Sequence, residues 1–471
     1  MTQRDPRTPP HGCGSGATSR RGFLLATAGG GALVTQAACA LGQAANPAPK
    51  GPSTQAVKLL WQINSGAPSA DLAKWGIAQF KQQYPNATVE TALDAGNVEK
   101  TTALMVAGEG PDILHAWAER FWEYAGKGLL YNHNELLRDY KKADIDDFVD
   151  YHWKGFVIPG TNFRYGMPAY INTMVVYYNK SLFAKRGQKE PNLDWTHDDY
   201  SAMLRRMTFE DGEKKVWGGW LAATAYNRFQ PHVMAFGGHV VDPKDFTKSA
   251  LGEPKAQEGL EWVRARQFAD RTTAPINSAD RTWQPVGPRD GFYQGALATM
   301  IEGAQGINVI AENMTNAEWS IAHLPKGPAR RATLGTTDGW GLWKGTKAKD
   351  AGWDLMRMLA TKEFFEQQIR LVALIPSRKS MMDTYVKLLR EKWPTLQKVD
   401  LKVITDALTT MNHVTLIEVF LCQTQALQVL TPAFDDIFRT GKAGVTLLRD
   451  IKPQLDQAAA SCGVKPDQVF K

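Results

Sequence analysis

Few residue patterns in this chain could perform covalent chemistry. There is no H-E-x-x-H metal-binding pair, no phosphate-cradling P-loop and no G-x-S-x-G nucleophile elbow, and none of the nine histidines has a partner at i, i+4 spacing. Asp144, Asp146, Asp147 and Asp150 form a tight carboxylate group, whose spacing reads as a solvated helix face. The chemistry left is recognition by aromatic faces and hydrogen-bonding side chains. Trp61, Trp117, Trp220, Trp283 and Trp340 fall on predicted loops. An indole stacks on the C–H-rich side of a pyranose while carboxylates, amides and guanidinium groups take the hydroxyls, which suits a pocket with an aromatic floor and few polar groups. Neither a metal nor a cofactor is expected.

Those residues must be held by an alternation of strands and helices. A strand over 57–63 precedes a helix over 69–84, a strand over 88–93 and a helix over 98–106. The turn GEGPDIL from Gly108 then delivers a strand ending near His115. Such alternation predicts an α/β fold on a parallel sheet with helices on both faces, where ligands bind beyond the carboxyl ends of the strands. The residues just past those ends are therefore the candidates: Trp61, Asn64 and Ser65; Trp117, Glu119 and Arg120; Trp220, Tyr226, Asn227 and Phe229. Between them, RYGMPAYINTMVVYYNKSLFAKRG over 164–187 predicts a buried strand at Ile171–Tyr178. Asn179 is placed to cap the helix that follows and Gly187 to close it. Thr196 and Asp199 form a capping box, with Trp195 and Tyr200 as its staple. Further on, a helix over 254–270 and a strand over 298–301 are expected. The segment LGTTDGW over 334–340 reads as a polar turn before a short strand. From Arg378 onward the pattern is helical and mostly packing, with Glu418 and Phe420 as further candidates.

The N-terminus reads as an export signal. Ser19-Arg20-Arg21-Gly22-Phe23-Leu24 matches the twin-arginine pattern, and the apolar stretch Phe23–Val34 is too short to span a bilayer. Cys39 after Ala37 and Ala38 resembles a lipoprotein acceptor, although Gln36 stands where a leucine is usual and cleavage at a nearby small residue is the competing reading. Without residues 1–39 the charge falls from +7 to 51 minus 47, or +4, a nearly balanced surface with no basic field for nucleic acid. Some 430 remaining residues suggest two domains, after a linker over 40–56. Of four cysteines, Cys422 and Cys462 remain, either bridged or as two free buried thiols.

Gly166 and Pro168, YYNKSLF, DWT before a helix, GEGPDIL, ATMIEG from Ala298, AHLPKG from Ala322 and IPSRKS from Ile375 follow one another in an order that resembles the extracellular solute-binding proteins of ABC importers, specifically the maltose-binding type. The resemblance covers nearly all of the chain after the signal. It implies a periplasmic-binding-protein-like fold of two α/β lobes with parallel-type sheets, joined by about three crossings near 166–173, 326–333 and 372–377. One lobe would hold 57–167 with 330–371, the other 168–329 with 372–471. It also implies that Glu119 and Arg120 bond sugar hydroxyls, with the neighbouring tryptophan displaced by one position. Tyr170 and Asn172, the loop with Glu302 and Gln305, and Thr336, Asp338 and Trp340 would then line the cleft, and Arg378 would face the hinge. The expected function is capture of a mono- or oligosaccharide for a membrane permease, by a monomeric periplasmic or surface-anchored protein.

Two other readings stay open. Glycerol-3-phosphate or phosphodiester binders of the same fold need cations at the phosphate, which Arg120, Arg228 and Arg378 could supply. Carboxylates from distant loops could also meet as a glycoside-cleaving pair; intact sugar after incubation would exclude that enzyme.

Overall fold

The computed structural model describes residues 53–63, 67–93, 98–137, 140–158, 161–221, 226–276, 287–411 and 413–463. The export motif, Cys39 and the linker before residue 53 lie outside them. One nine-stranded sheet organises the rest: β1 (Lys58–Ile63), β2 (Thr88–Leu93), β3 (Ile113–Ala116), β4 (Met167–Asn179), β5 (Thr299–Gly303), β6 (Trp319–Ala322), β7 (Thr333–Leu342), β8 (Ile375–Pro376) and β9 (Val414–Leu416). Its main path runs β6-β4-β7-β3-β1-β2, with β5 and β8 on β4 and β9 on β7.

The strand β4 decides this topology. All thirteen of its residues are buried, which explains why its sequence is a near-continuous apolar run and not an alternation. At about 3.3 Å per residue it spans roughly 43 Å, long enough to serve two sets of partners. Residues 167–173 pair with β7, and Ile171 and Tyr170 also pair with β8. Met174–Tyr178 pair with β5, and Val176–Asn179 with β6. Within the two-lobe α/β fold, β4 thus passes from one set of partners to the other at its middle. Alternate side chains enter different cores: Ile171, Val175 and Tyr177 belong to one cluster, in which Tyr177 packs against Phe292 and Trp319, whereas Met174, Val176 and Tyr178 belong to a second with Phe229, Leu260 and Phe434.

Local signals behave as the chain chemistry dictates. Asn179 accepts from the Leu182 amide at 3.0 Å and caps the helix Lys180–Lys185. Past the end of that helix Gly187 has φ of +60°, the left-handed closing position where a side chain would be strained. The Thr196–Asp199 capping box is complete, and the Trp195 and Tyr200 rings lie 5.1 Å apart.

Three expectations need correction. The sheet is mixed: β1 is parallel to β2 and β3, but β7 runs antiparallel to β3 and β4. Residues 334–340 are not a turn but the centre of β7, because paired neighbours on both edges satisfy the backbone of this Gly- and Thr-rich stretch. The 144–150 carboxylates are not simply solvated, since Asp147 is pinned by Arg378 at 3.2 Å and by the Ser380 amide at 2.9 Å. Those bonds from Ser380 and Arg378 hold its carboxyl below the usual range despite burial.

The C-terminal cysteines are bridged. Cys422 and Cys462 form a disulfide with Cα atoms 5.5 Å apart, holding the start of the helix Gln423–Phe434 against the end of the helix Lys452–Ala459.

Candidate functional site

The polar candidates gather where β4 changes partners. Thr336 stands opposite Asn172 in the β4–β7 register. Just beyond, Thr337 faces Ile171 while Gly339 faces Pro168. The two strands thus advance by unequal steps, and the β4 side carries an extra residue at Ala169–Tyr170. Such irregularities re-aim side chains, and here they bring Tyr170 and Asp338 together. Asp338 is only 7% exposed and accepts from Thr336 Oγ1 at 2.6 Å. Burial pushes its carboxyl up, opposed by His115, by the hydrogen bonds from Thr336 and Tyr170, and by Arg120.

Around Asp338 the aromatic groups interlock. His115 stacks on Tyr170 with ring centroids 5.8 Å apart and meets Trp340 edge-on at 5.3 Å. The Arg120 guanidinium sits 3.5 Å over the Trp117 ring. From the helix Asp150–Gly155, Tyr151 lies over Gly335, where a Cβ would come within 2.0 Å of the phenol ring; only glycine fits there. The next residue, His152, has Nε2 3.1 Å from the Asp338 carbonyl, so Nε2 carries the proton. Burial drives its pKa down to about 3.

The end of β5 supplies the facing side. Asn172 Oδ1 accepts from the Gln305 amide at 3.2 Å. Buried Glu302 accepts from Arg228 Nη2 at 2.6 Å, and Arg289 Nη2 lies 3.7 Å from its other oxygen. The Arg228 guanidinium in turn stands 5.5 Å over Trp220. Gly303 leaves room for this arrangement, since a Cβ would meet Gln305 Oε1 at 1.9 Å. Arg228 Nε, Gln305 Oε1 and the Tyr293 hydroxyl are buried without a partner among the described residues. Leaving each unsatisfied costs about 1–3 kcal/mol.

Not every sequence candidate reaches this place. Trp61 is 1% exposed and packs edge-on against Trp340 at 5.6 Å, so it backs the site from the core. Phe229 is fully buried against Phe434 at 4.8 Å. Arg378 is buried on Phe148 and donates from Nε to Ala360 O at 2.9 Å, tying β8 to its neighbours. Glu418 clamps a loop through His239 Nδ1 and the Val240 amide, both at 2.6 Å, and Phe420 is buried. Asn64, Ser65, Trp283 and the side chains of Glu119, Tyr226 and Asn227 lie outside the described residues. Conversely, Tyr151, His115, Arg289 and Tyr293 are brought in without any sequence motif marking them. Among the described residues no group of three or more His, Cys, Asp or Glu could hold a metal ion, and no helix is long and apolar enough to cross a membrane.

Residues 64–364 match the family model described as bacterial extracellular solute-binding protein. The chain belongs to this family. A binding protein of Brucella abortus (strain 2308) is 24% identical over 312 residues, 65% of this chain and 73% of that one. The diacetylchitobiose binding protein of Streptomyces coelicolor is 26% identical over 262 residues, 54% of this chain and 56% of its own length. Among solved structures, an ABC substrate-binding protein from Listeria monocytogenes in complex with cycloalternan superposes with a TM-score of 0.72 at 20% identity, covering 87% of this chain and all of that one. As a member, this solute-binding protein has the two-lobe fold built around β4, and its relatives are named for binding, not for catalysis.

Proposed function

We propose that this protein captures a mono- or oligosaccharide between its lobes and delivers it to an ABC-type permease, with no catalytic step of its own. The observation that carries this reading is the partner change in β4, where Asn172 meets the Gln305 amide between the Tyr170–Thr336–Asp338 group and the Glu302–Arg228–Arg289 group. Trp117 and Trp220 each lie beneath a guanidinium. Aromatic faces beside unpartnered donors and acceptors are what a pyranose with its ring of hydroxyls requires. The relatives named for diacetylchitobiose and cycloalternan support the same class. The division into 57–167 with 330–371 and 168–329 with 372–471 belongs to this proposal, as do a monomeric state and, in the signal region, twin-arginine export and a lipid anchor at Cys39.

A phosphate or phosphodiester ligand is less well served. Of the three arginines considered for it, Arg378 is committed to Ala360, Asp144 and Asp147, and Arg228 is paired with Glu302. The test is isothermal titration with cycloalternan and diacetylchitobiose, together with mass spectrometry of small molecules released on denaturation. Trp220→Ala should weaken sugar binding five- to 150-fold, the equivalent of about 1–3 kcal/mol for one stacked aromatic. Recovery of a phosphodiester, or sugar affinity unchanged in Trp220→Ala, would refute the assignment.

A further inference from the structure

We propose that Glu123 is a positioning residue that latches the two lobes in the closed form without touching the ligand. The inference rests on the two-lobe capture reading. Glu123 belongs to the helix Ala118–Gly126, and its carboxylate is buried, with the residue 2% exposed. Its Oε1 accepts from the Thr424 amide at 3.1 Å and from the Thr424 hydroxyl at 2.7 Å, across 301 residues of sequence. Lys127, which caps the end of the same helix, lies 3.9 Å from the other oxygen.

Thr424 is the second residue of the helix Gln423–Phe434. Its N–H is therefore one of the first four, which have no acceptor within their own helix. A carboxylate there also meets the positive end of the helix dipole. Cys422, just before this helix, is fixed by the disulfide to Cys462 and by its own amide donating to Ala459 O at 3.2 Å. The acceptor on one lobe thus meets a rigidly held donor pair on the other. Alongside it, Trp122 meets Phe246 edge-on at 5.2 Å, and Phe246 O accepts from the Leu421 amide at 2.9 Å.

The position of the latch gives its direction. Glu123 is three residues from Arg120, which acts on Asp338, so the two share a helix face. On the other lobe, Glu418 exchanges two hydrogen bonds with Gln230, at 2.6 and 2.9 Å. Gln230 lies two residues from Arg228, the partner of Glu302. Glu123 thus shares its helix face with a residue that acts on Asp338, and the segment leading to Thr424 is held at Glu418 by the helix that carries Arg228. The strength of the latch raises the closed population and hence the apparent affinity for any ligand contacting both lobes.

The test uses the full chain and needs no ligand for its first arm. Amide exchange at Thr424 should be slowed in the wild type and at least tenfold faster in Glu123→Ala, with Glu123→Gln intermediate because it keeps an acceptor but loses the charge. Small-angle scattering should show a larger radius of gyration for Glu123→Ala. Titration with cycloalternan and diacetylchitobiose forms the third arm, with about tenfold weaker binding expected in Glu123→Ala for whichever sugar binds. If neither sugar binds while exchange and radius respond, the ligand assignment fails and the latch stands. Thr424 exchanging at the same rate in wild type and Glu123→Ala overturns the latch. So does faster exchange with an unchanged radius, which would reduce Glu123 to a local helix cap.

Discussion

His152 offers a sharp test of the site's internal construction. Its ring is fully buried between Tyr151 and Phe156, with Nε2 on the Asp338 carbonyl and Nδ1 without a partner among the described residues. Burial outweighs the carbonyl bond and lowers the pKa from 6.5 to about 3. The folded state therefore prefers the neutral ring, and the unfolded chain takes up the proton first as pH falls. Stability is thus present above pH 6.5 and is lost progressively from there down to about 3. Acidification from pH 7 to 5 crosses 1.5 units below the unfolded value at about 1.4 kcal/mol each, a loss of about 2 kcal/mol. Because the folded pKa lies well below 5, that figure depends almost wholly on the unfolded state. The perturbation is His152→Gln, which keeps an amide donor for Asp338 O and removes the titration. Urea unfolding of both proteins at pH 7 and pH 5 gives the difference of differences, in which Asp338 and His133, the latter also lowered to about 3 by burial, cancel. Wild type should lose about 2 kcal/mol more than the variant between the two pH values. An equal loss in both would refute the buried neutral imidazole as a source of acid lability.

Three further outcomes are expected. The Cys422–Cys462 bond closes a 40-residue loop, for which chain entropy gives about 4 kcal/mol. Cys462→Ala should lower the unfolding free energy in urea by about 2–4 kcal/mol, and an unchanged midpoint would deny the bond a role in stability. For export, joint replacement of Arg20 and Arg21 by lysine should abolish twin-arginine secretion, and undiminished secretion would sink that reading of the leader; Cys39→Ala should release the protein from the membrane fraction if it is lipidated.

What the sequence disclosed follows from which signals are local. Asn179, Gly187 and the Thr196–Asp199 box act within one helical turn, so their roles can be read from spacing and the structure repeats them. The uniform apolar run of β4 likewise announces a doubly buried strand. Residues 334–340 failed as a strand signal because β7 owes its conformation to partners, not propensity. Gly335 and Gly339 are there because Tyr151 and Phe156 occupy the space a Cβ would need, a constraint visible only once the helix Asp150–Gly155 is packed. The same holds at the site. The predicted strand over 298–301 ends just before Glu302 and Gln305, whereas Asn172 lies within β4 and is reached through the family resemblance. Arg289 reaches Glu302 from the helix Pro288–Tyr293, and Tyr151 and His152 approach Asp338 from a helix whose sequence reads as a charged surface. Their roles come from tertiary packing, which no spacing rule encodes. The phenylalanine of WLAATAYNRFQ shows the converse error: on a helix, Phe229 lies three residues from Tyr226, and the buried side of that helix takes it into the core against Phe434 while its neighbour Arg228 remains at Glu302. Reading that stretch as a loop gives Phe229 no inner face; reading it as a helix does.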